Sequence, residues 1–132
     1  MRSAVVAARA DAGSAVVEFV LVGTMLTLLT LAVLQLGLAL LIRNTVLDAA
    51  AEGARYGALA DNAPRDGVAR TIELISAAIG PEFAEHVTAE TGEWRGHPAV
   101  TVNVRTTLPL VGLIGPDGVL EVSGHAAIET LD

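Results

Sequence analysis

Gly13, Ser14 and Glu18 are the residues whose types and spacing allow chemistry. A peptide bond after glycine is open to a close-fitting protease, because no Cβ obstructs the approach of an extended backbone. A cut there would give Ser14 a new α-amine, largely protonated at neutral pH. Glu18 follows one helical turn later, at i+4, just inside an apolar run and directly before Phe19. A charged side chain near the centre of a membrane helix costs on the order of 2.5–3.5 kcal/mol, and less near an interface, so a carboxylate in such a place calls for a partner. Two readings are open. In one, Glu18 sits at the membrane interface, near a helix N-terminus whose macrodipole favours an anion. In the other, identical helices pack with an axial stagger, and the Ser14 ammonium of one chain meets the Glu18 carboxylate of its neighbour. Removing one member of a buried pair costs about 3–5 kcal/mol, so Glu18 would then set register as well as recruit the next subunit.

The remaining polar residues form no catalytic pattern. His86, His97 and His125 fall in neither an H-x3-H nor an HExxH arrangement, and the chain has no cysteine, so a metal site has no support in the sequence. Glu82, Glu85, Glu90 and Glu93 read as a solvated acidic surface. Gly112-Leu-Ile-Gly115 lacks the spacing of a phosphate loop. Trp94, beside Arg95, is a contact residue or a core residue. No cofactor is expected, and the chain reads as a non-enzyme: any covalent chemistry would be done to it by a peptidase.

The element that must carry Glu18 is a membrane helix. Hydrophobic residues make up 52% of the chain but aromatics only 3%, and the apolar residues concentrate near the N-terminus. Phe19 to Ile42 is a run of 24 residues without a charge, its only polar side chains being Thr24, Thr27, Thr30 and Gln35. At 1.5 Å per residue such a helix spans about 36 Å, enough for a hydrocarbon core of about 30 Å. The run is longer than the apolar core of a signal peptide, about 7–15 residues, and closes on Leu41-Ile42-Arg43 rather than on a cleavage site of small residues. Arg2, Arg9 and the starting amine precede it, which predicts a cytoplasmic N-terminus. From Asn44 onward five arginines face thirteen acids, a balance suited to the extracytoplasmic side. All eight basic residues are arginine and the net charge is −7. A chain so acidic, without a basic patch, is a poor partner for nucleic acid.

The stretch from Arg43 to about Ala60 lacks proline and is rich in Ala and Leu, so the membrane helix is expected to continue as a stalk, giving 14–60 as one helix of roughly 70 Å. Within it Ala49, Gly53 and Gly57 recur every four residues, as do Ala50, Ala54 and Ala58. Such rows let helices approach closely, within a bundle or against a head domain. Glu52 and Arg55 are spaced as a surface pair.

Gly13-Ser-Ala-Val-Val-Glu18-Phe19 resembles the processing site of type IV prepilins of the Flp/Tad kind, and Asp48-Ala-Ala-Ala-Glu-Gly-Ala-Arg-Tyr-Gly-Ala58 resembles the stretch that follows the membrane helix in TadE-like pseudopilins. Gln35-Leu36-Gly37 is similar to that family's Q-F-G near the helix end. Many members have a proline where this chain has Gly23-Thr24, so the resemblance does not extend to a kink there. It implies residues 1–13 as a leader removed by a prepilin peptidase, Gly13 and Ser14 as the cleavage site, and Glu18 and Phe19 as assembly residues. It further implies a minor pilin in the inner membrane, working with other pilin or pseudopilin subunits and the Tad machinery in adhesion and secretion. The alternative is an uncleaved single-pass anchor displaying a small extracytoplasmic binding domain.

Residues 61–132 read as an α+β head. Asp61-Asn-Ala-Pro-Arg-Asp-Gly67 is a break. A second helix is expected beyond it, with Asp66 as N-cap, an apolar stripe of Val68, Ile72, Ile75 and Ile79, and a stop at Gly80-Pro81. Val87 to Thr91 is a weak strand candidate ahead of a Gly92–Pro98 turn. Ala99 to Thr107 and Leu120 to Glu129 alternate apolar with polar. An antiparallel sheet of about three strands, packed on the second helix and the upper stalk, is the expectation. Leu108-Pro-Leu-Val-Gly-Leu-Ile114 is apolar for a connection and would pack into the head or form a surface patch. Gly115-Pro-Asp-Gly118 is turn chemistry.

Overall fold

The computed structural model describes residues 2–109 and 118–131. Most of the apolar connection and the following turn, residues 110–117, therefore lie outside the described residues. The chain divides into two compact units, Met1–Gly37 and Leu38–Asp132. A long helix, α1, spans Arg2–Gly57. It begins inside the leader, earlier than the helix expected from Ser14, and ends three residues short of Ala60.

In the first unit every described side chain but that of half-buried Gln35 is exposed. Thr24, Thr27 and Thr30 each donate to the carbonyl four residues back, Val20, Gly23 and Leu26, at 2.8 Å. Their hydroxyls are thereby satisfied within the helix, as an apolar surrounding requires.

The second unit is the head with the C-terminal part of α1 as one of its core elements. α2 spans Pro64–Ala78, η1 is a short 3-10 turn over Pro81–Ala84, and the strands are β1 (His86–Trp94), β2 (His97–Thr107) and β3 (Val119–Ala127). All pairings are antiparallel and the order is β1-β2-β3. The expected α+β class and three-stranded sheet are present. Val100, Val102 and Val104 of β2 are buried with Leu120 and Val122 of β3 on one sheet face, in a core that includes Ile75 of α2 and Ile42, Val46, Ala50 and Ala54 of α1.

The sequence expectations differ from the head in three places. Asp66 is the third residue of α2, not its N-cap: Pro64 occupies the first position and the Asp66 carboxylate accepts a 2.7 Å bond from the N–H of Ala63. An acid three residues inside a helix satisfies a free N–H as well as a cap would. Ile72 is exposed, and the buried face of α2 is Gly67, Thr71 and Ile75, because the surface it meets needs small groups. The β1–β2 turn is only Arg95-Gly96, with left-handed φ values of 52° and 81°. That is the geometry of a two-residue hairpin matched to strand twist, so the strands run to Trp94 and His97.

Candidate functional site

Gly13, Ser14, Glu18 and Phe19 all lie on α1 and are exposed. A Cβ placed on Gly13 would meet nothing within 4 Å. Ser14 and Glu18 share a helix face, one turn apart. The Gly13–Ser14 bond is itself helical. A protease that binds its substrate extended must unwind this turn first, and glycine lowers that cost by about 1 kcal/mol relative to alanine. The ion pairs among the described residues are elsewhere: Glu52 with Arg55 at 3.8 Å and Arg70 with Glu73 at 3.2 Å, both exposed.

Ala49, Gly53 and Gly57 are buried in the second unit, where Gly53 and Gly57 face the first turns of α2. A methyl on Gly53 would overlap the Thr71 hydroxyl and stand 2.7 Å from the Gly67 carbonyl oxygen. One on Gly57 would come within 3.3 Å of the Ala63 carbonyl oxygen and the Gly67 Cα. The approach is reciprocal, since a methyl on Gly67 would stand 2.5 Å from the Gly53 carbonyl oxygen. Thr71 lies at the crossing: its hydroxyl donates to the Gly67 carbonyl of its own helix at 2.8 Å and lies 3.4 Å from that of Ala49 on α1. Gly124 of β3 presses on the backbone of Ala50 and Ala51 from the sheet side. The small residues of α1 thus admit two elements of its own head at backbone distance.

A third cluster involves a residue to which the sequence reading assigned no role. Trp94 stacks on His125 at 5.2 Å between ring centroids, nearly parallel, with the Arg95 guanidinium 4.5 Å from the indole centre. His125 Nδ1 is 2.9 Å from the Thr101 hydroxyl. The stack crosses the row Gly92–Ala99–Ala127 on the outer sheet face, and Ala99 beneath it is only 1% exposed. Trp94 is thus 37% exposed and at the same time a cover for Ala99. Residues 94 and 125 are brought together by sheet register alone, and no local pattern could have paired them. His86 and His97 are exposed and lie at opposite ends of the strands. Glu82, Glu85, Glu90 and Glu93 are likewise exposed. Among the described residues no group of His, Cys, Asp and Glu is arranged to hold a metal ion.

α1 is the one described helix long and apolar enough to cross a membrane. Residues 13–55 match the model of the TadE-like protein family. The match takes in Gly13, Ser14, Glu18 and Phe19, and also Ala49 and Gly53, but stops before α2 and the sheet. No curated protein and no solved structure matches the chain.

Proposed function

We propose that this chain is a membrane-anchored minor pilin, or pseudopilin, of a Tad pilus system, held by α1 with its N-terminus in the cytoplasm and its head outside. A prepilin peptidase cuts between Gly13 and Ser14, and the new Ser14 ammonium pairs with Glu18 of an adjacent subunit during assembly with other pilins and the Tad machinery. In this reading the chain is a structural subunit and carries no catalysis of its own. The observation that carries this reading is that the TadE-like match begins at Gly13 and takes in a helix that is uncharged from Phe19 to Ile42 and long enough to span.

The amine and the acid serve one another because neither is stable alone in a low-dielectric bundle. Before the cut, Ser14 offers only an amide to Glu18. Cleavage therefore creates the cation, and assembly waits for it.

A second reading, the uncleaved anchor with a binding head, is favoured by the exposed Trp94–Arg95 surface. N-terminal sequencing and intact mass of the protein from its native membrane separate the two. A chain starting at Ser14 is expected, and one retaining Met1 in cells with an active prepilin peptidase refutes processing. Glu18→Ala is expected to be cleaved but excluded from the assembled structure. Normal incorporation of that variant would remove the ion-pair role while leaving cleavage intact.

A further inference from the structure

We infer that the head makes a second contact with the bilayer, a shallow seat formed by Val119 and Pro109 at the end of the sheet where β2 and β3 are joined. The inference depends on α1 being the membrane span and adds a site to it.

The level of that end follows from the packing of β3 on α1. Gly124 rests on the backbone of Ala50, and the N–H of Glu129 donates to the carbonyl of Ala58 at 2.9 Å. β3 and the two residues that follow it therefore climb in the same direction as the helix, five positions from Gly124 to Glu129 matching eight of α1. Counted back from Gly124 at the same ratio, Val119 falls level with Ile42. Ile42 is also the last residue of the uncharged run, directly before Arg43. A helix leaves the hydrocarbon where its apolar run ends, so this end of the sheet stands at the bilayer surface.

What the head shows at that level is apolar. Val119 is 43% exposed, Leu38 and Leu41 are 43% and 57% exposed, and Pro109 is exposed. Thr107 pairs with Val119, and the N–H of Leu108 donates to the Gly118 carbonyl at 2.6 Å. The described backbone groups at this end of the ladder are thus satisfied, which lowers the cost of meeting a lipid surface. Glu82, Glu85 and Arg105 flank Val119. These charges belong among the headgroups, so the seat reaches about 5–10 Å into the headgroup and acyl boundary and no deeper. Continuity with the apolar end of the span makes lipid the occupant.

The opposite end supplies an internal control. Trp94, the chain's one tryptophan, pairs with His97. Pro98 accepts from the N–H of Ile128, so Trp94 lies near the level of Ala58, sixteen helical residues or about 24 Å beyond Ile42.

The test is tryptophan quenching of the full chain in phosphatidylcholine vesicles brominated either near the headgroup or near the bilayer centre. Three proteins are compared: the native chain, and Trp94→Phe carrying either Val119→Trp or Leu31→Trp, with Pro109→Trp as a second probe of the same end. Circular dichroism melts verify that each head is folded. The expected result is loss of emission at 119 and 109 with the shallow bromine, loss at 31 with the deep bromine, and little loss at 94. If 31 is quenched while 119 and 109 respond no more than 94, the seat is refuted and the anchor stands. If 31 is unquenched as well, the membrane reading of α1 fails and the seat with it.

Discussion

Two parts of one helix present opposite surfaces. From Ser14 to Leu41 α1 carries Val, Leu, Phe and Met all around, and all its side chains but those of half-buried Gln35 and Ala39 stay open, with Phe19 at 80% exposure. From Ile42 to Gly57 one face is closed, with Ile42, Val46, Ala50 and Ala54 all buried. Backbone geometry is the same in both. The difference lies in side-chain size. Bulky aliphatics all around a helix suit a surrounding without shape, such as lipid, where each methylene contributes and no close fit is required. A face of Ala and Gly contributes little area of its own, but it lets a neighbouring backbone come near enough for dispersion contacts and for the Thr71 hydroxyl to reach the Ala49 carbonyl.

Substitutions that should unfold one part and spare the other test this contrast. Gly124→Val is expected to have the largest effect. Its branched side chain would meet the Ala50 and Ala51 backbone, which cannot turn aside, so the loss should exceed the usual overpacking cost of about 1–3 kcal/mol. The head should be cleaved rapidly by added protease while the chain still fractionates with membranes. Loss of membrane association would show that the two parts fold as one.

Leu29→Arg is the converse. An arginine in the middle of the run costs about 2.5–3.5 kcal/mol of insertion on translocon scales. Glycosylation-site mapping of insertion should fall sharply, whereas the melting temperature of the detergent-solubilised head should not move. A shifted melt would place Leu29 in the head's cooperative unit.

Asp66→Ala is the smallest. It removes the acceptor of the Ala63 N–H at the point where α2 starts, at a cost of about 1 kcal/mol. Chemical denaturation should register that loss, and insertion should be unaffected. Asp66→Asn, which keeps an acceptor oxygen, should recover most of it.

Much of the fold is legible along the chain because its signals are local. The period of two in Ala99 to Thr107 places Val100, Val102 and Val104 on one face, and these are buried together. The turn residues near Pro64 mark the end of α1 and the start of α2 to within a few residues, whereas α1 begins twelve residues before the expected Ser14. Ile72 defeats the same logic. Its helical spacing with Val68, Ile75 and Ile79 predicts a buried stripe, but α2 meets a surface of Gly53 and Gly57 whose shape selects Gly67 and Thr71 instead. Apolar periodicity names a hydrophobic side, whereas close approach selects for volume. Of the candidate site residues, Gly13, Ser14, Glu18 and Phe19 could be proposed from the sequence because they lie within six residues of one another. Trp94 and His125, thirty-one residues apart, could not.

The sequence by itself determined a helix able to cross a membrane, the acid at its entrance, and strands with one apolar side, since each depends only on neighbours a turn or two away. Only the tertiary structure decided which element fills the Ala and Gly face of α1, that an indole stacks on a histidine two strands away, and that Gly124 of β3 meets the backbone of Ala50. Those facts depend on distances between segments far apart in the chain, and such distances are set by how side-chain volumes fit rather than by any residue's own preference.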